Sequence, residues 1–247
     1  MSITNWSKNN VTNFYTLNRK STKDLYLSEK YLLSKIKKKK IKKILDFGCA
    51  AGNFKNIFNK MYGSHFYCGI DADKKMIQIA KKINLKNKKK DKFIVRNNLK
   101  KIKEKYDLVF STGVLNHIKN YKNIVNQMIE ISDRYVFFDA PRITLKKKFT
   151  AKMNLSKRFQ IKDKKNIVNY YIENVDFFLN FIKNYYKKNK CNIYILINKL
   201  PYSKKYLNIK SIIYYCTVLI TKSDKKFIKV KTQDKRLLKI INAKIKK

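Results

Sequence analysis

The residues with most chemical potential lie in one short stretch, Asp46-Phe47-Gly48-Cys49-Ala50-Ala51-Gly52-Asn53. An apolar run over 41–47 (IKKILDF) reads as a strand. It ends in an acid, then two glycines, then a segment of helical period. A strand that turns on glycines into a helix builds a ligand site at the carboxyl edge of a sheet. Gly48 permits the tight turn, and Gly52 lets a ligand approach the amides at the helix start. The spacing departs from GxGxxG, and an acid already stands beside the turn, which favours a ligand with positive charge near the loop. Metal and disulfide chemistry are not expected. Four cysteines without a CxxC pair and two histidines make neither a zinc finger nor a disulfide scaffold. Cys49, Cys68, Cys191 and Cys216 read as buried structural thiols.

Periodicity supplies the elements that must position this turn. Apolar residues Leu25, Leu32, Leu33 and Ile36 predict a helix within 25–40, and Phe54, Ile57, Phe58 and Met61 predict another over 53–62. A strand over 66–70 ends at Asp71, and a helix over 74–83 follows, for which Asp73 is the best-placed N-cap. A charged connection over 86–92 leads to strands at 93–95, 107–111 and 135–139, with a helix over 118–132 between the last two. Strands alternating with helices over 41–139 imply a parallel sheet covered on both faces. The stretch 142–173 reads as a basic insertion over the end of the sheet, closing on a substrate. Residues 174–190 predict an aromatic-rich helix. Apolar runs at 191–199 and 211–221 are too close for a crossover helix and should pair antiparallel. Residues 1–40 form an N-terminal helical cap with Trp6, Phe14 and Tyr15 as docking points. The core is 41–141, residues 174–222 complete the same domain, and 223–247 reads as a fraying basic tail except near 237–241.

The chain has 247 residues, 44% hydrophobic and 31% charged, which suits one large domain and excludes a disordered chain. Its formal net charge is +44, yet only six of the 60 basic residues are Arg. Nucleic-acid surfaces favour Arg for its planar, bidentate fork. The abundance of Lys, Asn, Ile, Tyr and Phe follows AT-rich codons, so genome composition is the first reading of the charge and polyanion binding the second. Self-repulsion should make stability rise with salt. The N-terminus has no apolar signal segment, and no run of ~18 apolar residues predicts a spanning helix, so a cytoplasmic location is expected.

Four segments in order, each at a strand end, resemble the class I S-adenosylmethionine-dependent methyltransferases. ILDFGCAAGNF is similar to that family's first motif, GIDADKKMI to its second, KFIVRNNLKKI to a degenerate third and YDLVFSTGVLNHI to its fourth. The resemblance covers about residues 41–141 and extends in topology to the two terminal strands. It implies a Rossmann-like, doubly wound α/β fold, a mostly parallel seven-stranded sheet with a C-terminal antiparallel pair, and S-adenosyl-L-methionine as cofactor.

Carried onto these positions, the resemblance implies that Asp46 faces the cationic methionyl end and that Gly48, Cys49, Ala50 and Gly52 bring amides to its carboxylate. Asp71, with Ala72 beside it, would accept both ribose hydroxyls. Met76 packs on the adenine or in the core. Asn98 stands where the family usually has an acid and can still accept from the adenine amine. Ser111 and Thr112 lie beside the sulfonium. In-line transfer needs alignment, and a base only if the acceptor must lose a proton. His117 is the candidate base, with packing as the competing role. Asp139 and Arg142 flank Pro141 at the same rim. Asp139 can orient an acceptor and Arg142 can hold an anionic group, or the two can pair with each other. The expected partner is a small-molecule acceptor, anionic or sugar-like, such as a cell-envelope or polysaccharide precursor. An RNA-modifying enzyme and an inactive cofactor-fold binding subunit are the alternatives. STGV has no cysteine nucleophile and the Asn/Asp-Pro-Pro-aromatic signature is missing, so nucleic acid is the less favoured substrate.

Overall fold

A computed structural model describes residues 9–84, 91–159, 166–200, 209 and 211–245. Trp6, the 85–90 connection, 160–165 and most of the loop at 201–210 lie outside the described residues. Five strands build the parallel core: β1 (Lys43–Phe47), β2 (Phe66–Asp71), β3 (Lys92–Val95), β4 (Tyr106–Ser111) and β5 (Ser132–Asp139). Between them run α3 (Phe54–Tyr62), α4 (Lys74–Asn84) and α5 (Tyr121–Glu130), after α1 (Asn9–Leu17) and α2 (Leu27–Leu33) of the N-terminal stretch. The remaining elements are β6 (Arg142–Thr144), β7 (Phe149–Asn154), α6 (Leu155–Phe159), β8 (Ile167–Asn174), α7 (Val175–Lys188), β9 (Cys191–Lys199), β10 (Tyr214–Lys222), β11 (Phe227–Thr232) and α8 (Lys235–Ile245).

The sheet order is β3-β2-β1-β4-β5-β10-β6-β8-β7, with β9 on β10 and β11 on β9. Strand order reverses between β1 and β4, where Asp46 lies opposite Gly69 on one side and Phe110 on the other. That reversal opens a crevice at the carboxyl edge. β10 runs antiparallel to β5 and β9, so the terminal pair has the expected direction. The expected seven strands are therefore present. Four more, β6, β7, β8 and β11, extend them into an eleven-stranded sheet.

Local chemistry accounts for the element ends. Asp73 caps α4, its Oδ1 accepting from the amides of Lys75 (2.8 Å) and Met76 (3.1 Å). Asn174 caps α7 by accepting from Asp176 N at 2.8 Å. Gly63, at φ +85°, ends α3. Phe58, Phe110 and Phe137 are fully buried, and the rings of Phe110 and Phe137 stack at 4.9 Å. Burying each ring contributes about 2–3 kcal/mol.

Several expectations are corrected. The helix foreseen within 25–40 is only α2, because the lysines after Ile36 form a tight 3-10 turn over Lys38–Lys40. The helix foreseen over 118–132 starts at Tyr121, after a 3-10 turn at Leu115–His117, and Ser132 already belongs to β5. The 142–173 stretch, expected as a basic insertion over the end of the sheet, supplies β6, β7 and β8 to the main sheet, and their apolar residues Ala151, Met153, Val168 and Tyr170 lie in a separate buried cluster. Nor does the tail fray. Ile228 and Val230 pack on the core while Lys229 and Lys231 face out, and Leu237 and Ile241 of α8 are fully buried. Among the described residues no helix is long and apolar enough to cross a membrane.

Candidate active site

The bend after β1 is held by hydrogen bonds that use its unusual backbone. Gly48 has φ +81°, and both Gly48 N (2.7 Å) and Cys49 N (3.0 Å) donate to Ile70 O. A Cβ on Gly48 would sit 2.0 Å from Val114 Cγ2, so glycine is required by space as well as by φ. Ala50 adopts φ +46° and donates its amide to Asp71 Oδ2 at 2.9 Å. Asp73 N donates to the other oxygen, Asp71 Oδ1, at 2.9 Å. One carboxylate thus ties the bend to the start of α4. Burial raises the pKa of Asp71, and the amides of Asp73 and Ala50 oppose that shift.

Asp46 is 2% exposed and accepts from Tyr67 Oη at 2.5 Å. Burial pushes its pKa up to about 7, against the lowering effect of Tyr67. Burial also holds the Cys49 thiol protonated. Met76 is buried at the start of α4. Asn98 is half-buried and its amide serves its own turn: Nδ2 donates to Asn97 Oδ1 at 2.9 Å and Oδ1 accepts from Lys100 N at 3.3 Å. Ala72 stands half-buried between Asp71 and the α4 cap.

At the end of β4, Ser111 is fully buried and its Oγ has no hydrogen-bond partner. Gly113 N donates to both oxygens of Asp139, at 2.8 and 2.9 Å. Asp139 is 1% exposed, and burial raises its pKa while Arg142 and Gly113 lower it. Arg142 Nη1 lies 3.7 Å from Asp139 Oδ2, an ion pair too long for a hydrogen bond, and neither Nε nor Nη1 has a hydrogen-bond partner. His117 docks on β8: Nδ1 is 2.9 Å from Asn169 O, and the ring meets Tyr170 edge-on at 5.5 Å. Burial lowers its pKa to about 4. The ring is therefore neutral at pH 7, with its Nδ1–H donated to that carbonyl.

Sequence reasoning foresaw Phe14 and Tyr15 as docking points, and both meet Phe159, but it missed the other contacts that close this edge from the N-terminal stretch. Asn53 Nδ2 donates to the carbonyls of Tyr15 (2.8 Å) and Asn18 (2.7 Å), pinning the end of α1 to the glycine bend. Phe14 of α1 meets Phe159 of α6 at 4.9 Å, so the cap and the 142–173 stretch touch each other. Glu29 is fully buried, pairs with Arg19 and accepts from Thr112 Oγ1 at 3.1 Å. Cations and rings then alternate across the edge. The Arg142 guanidinium lies 4.4 Å from the Tyr215 ring, Tyr215 is 5.6 Å from Tyr26, and Arg19 lies 4.9 Å from Tyr26 and 4.8 Å from Phe54. Such contacts contribute about 0.5–2 kcal/mol each. The buried Tyr215 hydroxyl also has no partner. The one available signal was the scarcity of arginine. Arg19 and Arg142 are two of only six in the chain.

The chemistry of this donor set fits a sulfonium nucleoside. Asp71 accepts from backbone amides through both oxygens, and a carboxylate with about four lone-pair sites keeps acceptor capacity toward a diol. Asp46 is a buried carboxylate that a cation would keep ionised. Among the described residues no group of His, Cys, Asp and Glu is arranged to hold a metal ion.

A family model described as a methyltransferase domain matches residues 20–165. Among solved structures, the chain resembles the O-methyltransferase of a trans-AT PKS multienzyme of Brevibacillus brevis, in complex with S-adenosyl-L-homocysteine. The two are 15% identical with a TM-score of 0.54, covering 80% of this chain and 74% of that one. It also resembles the N-terminal domain of EvdMO1 with S-adenosyl-L-homocysteine bound, at 10% identity and a TM-score of 0.50, covering 74% and 75%. At these identities the likeness is one of fold. No curated protein matches the sequence.

Proposed function

The chain belongs to the methyltransferase domain family, and on that premise we propose that it takes S-adenosyl-L-methionine as methyl donor and methylates a small polar acceptor, anionic or sugar-like, at the ends of β4 and β5. The observation that carries this reading is the gathering of buried polar atoms without partners at that edge: Ser111 Oγ, Arg142 Nε and Nη1, and Tyr215 Oη. Each such atom costs about 1–3 kcal/mol while unsatisfied, which favours a polar ligand that reaches them.

When bound, S-adenosyl-L-methionine supplies an electrophilic methyl group on a positively charged sulfur. The protein's residues then have separable tasks. Asp71 accepts the two ribose hydroxyls with its outward lone pairs. Asp46 opposes the positive charge. Contrary to the sequence expectation, the amides of Gly48, Cys49, Ala50 and Gly52 are engaged within the chain, by Ile70 O, Asp71 Oδ2 and Cys49 O, so these residues shape the bend that borders the donor and do not donate to its carboxylate. Met76 and Ala72 border the adenine, with Asn98 at its rim. Ser111 and Thr112 line the point of transfer. Arg142 holds an oxygen of the acceptor over the Tyr215 ring. Asp139, buried and with a raised proton affinity, takes the proton of an acceptor hydroxyl. His117 positions β8 through Asn169 and is too weakly basic for that task. In this reading 41–141 carry the donor, while 1–40 and 142–173 close on the acceptor, and 174–222 complete the sheet.

Calorimetry with S-adenosylhomocysteine tests the donor half. The wild type binds, and Asp71→Asn, which keeps one carbonyl acceptor for the bend, binds about 30-fold or more weakly. Undiminished binding by that variant would falsify the role of Asp71. Methyl-labelled donor incubated with fractionated cell extract tests the acceptor half. Label should enter the small-molecule fraction, and label confined to RNA would overturn the acceptor assignment.

A further inference from the structure

At the edge of the sheet opposite Asp46, Asp71 and Asp139, where β5 begins and β10 ends, lies a cavity of about 470 Å³. Its position follows from register, since Thr221 of β10 pairs with Tyr135 at this end and Thr217 with Asp139 at the other. The floor is polar and buried. Tyr135 and Asn192 are 4% and 9% exposed. Lys37 N donates to Tyr135 Oη at 3.4 Å, which leaves the phenol proton free to be donated. Asn192 Oδ1 is buried without a hydrogen-bond partner.

The walls are cationic. Lys35, Lys37, Lys40, Arg134, Lys222 and Lys225 line the cavity against one lining carboxylate, Asp224. Three of them are held in place. Arg134 Nε donates to Asp107 at 3.3 Å, Lys35 lies 5.2 Å over the Tyr194 ring, and Lys222 Nζ donates to Ser132 O. Lys37, Lys40 and Lys225 stand exposed at the rim. With Arg134 paired to Asp107 and Asp224 in the wall, the cations still outnumber the carboxylates around the floor, and an anion relieves their mutual repulsion. Two or three linked phosphates carry about three to four negative charges at neutral pH. Their acceptor oxygens suit the Tyr135 phenol and the ammonium groups of the walls.

We propose that this cavity binds an oligophosphate anion, at a site separate from the methyl-transfer edge. A chain of net charge +44 attracts any polyanion, so the test separates a site from a charged surface. The full chain is titrated by calorimetry with inorganic tripolyphosphate at about 0.15 M salt, and in parallel with a nucleoside triphosphate. One saturable site is expected for each. A nucleoside triphosphate that binds more tightly makes a nucleotide the source. Equal affinity makes the phosphate chain sufficient. The triple variant Lys37→Gln, Lys40→Gln, Lys225→Gln should weaken binding about tenfold. A control that removes the same charge elsewhere, Lys60→Gln, Lys81→Gln, Lys239→Gln, should stay within about twofold. S-adenosylhomocysteine affinity unchanged in both variants reports an intact fold. Equal weakening in both variants, or heats that never saturate, would overturn the proposal. So would an RNA oligonucleotide that displaces tripolyphosphate from both variants alike, because it would make the ligand a nucleic acid on the whole surface.

Discussion

Gly48→Ala tests whether the bend after β1 is as constrained as its geometry implies. Two costs add. An L-residue at φ +81° costs about 1–2 kcal/mol. The new Cβ would meet three atoms of one side chain, Val114 Cγ2 at 2.0 Å, Cβ at 3.1 Å and Cγ1 at 3.3 Å. Val114 is short, branched and packed against the core, so it cannot swing aside as the far end of a lysine would. Overpacking of this kind costs about 1–3 kcal/mol. The variant should therefore lose about 2–5 kcal/mol. Adding Val114→Ala removes the two γ-carbons and with them most of the steric part, leaving the backbone part in place. Urea unfolding of the wild type, the two single variants and the double variant gives a coupling energy of about 1–3 kcal/mol in the restoring direction. S-adenosylhomocysteine binding stays impaired in the double variant, because the methyl still stands in the bend. Strict additivity of the two substitutions, or a Gly48→Ala protein within about 0.5 kcal/mol of wild type, would show that the reasoning is wrong.

The pH dependence has two opposing parts. The folded Asp46 has its pKa raised from 3.8 to about 7, so its contribution is greatest below pH 4 and is lost as pH rises toward 7. His117 has its pKa lowered from 6.5 to about 4, so its contribution is complete above pH 6.5 and is lost as pH falls toward 4. Urea midpoints measured from pH 4 to 7 should rise more steeply with pH in Asp46→Asn than in wild type, and less steeply in His117→Gln. Identical profiles for all three proteins would remove both assignments. At the acceptor edge, Arg142→Lys keeps the charge but loses the planar fork. Methyl incorporation into the acceptor fraction should fall about tenfold or more while S-adenosylhomocysteine affinity stays within about twofold. A parallel loss of donor affinity would place Arg142 in the donor site instead.

Much of the fold was legible because period and direction are local properties. The apolar spacing of α3 and α4, the strand ends at Asp46, Asp71 and Ser111, and the short link between β9 and β10 lead to the observed topology. Asp73 was readable as a cap because N-caps act within three residues. What escaped depends on contacts remote in sequence. Lysines in the tail hid the alternation of Ile228 and Val230, which becomes a strand only because β9 offers an open edge. Glu29 reads as one more charged residue of a surface helix, yet it is buried because Thr112 and Arg19 converge on it. His117 carries a residue type that suggests a base, and only the packing of β8 reveals how far its basicity is suppressed.

Three strands, β3, β7 and β11, each pair on one side only among the described residues. These edge strands carry Lys92, Lys152, Lys229 and Lys231, all exposed. A second copy approaching any of these open ladders would bring like charges face to face, so the lysines act as wardens against filament growth. Ionic strength works on this in a second way. Salt that eases the crowding of charge within one molecule also shortens the reach of each warden, to about 3 Å at 1 M. Salt added to relieve the +44 charge of one copy is therefore expected to favour stacking between copies as well.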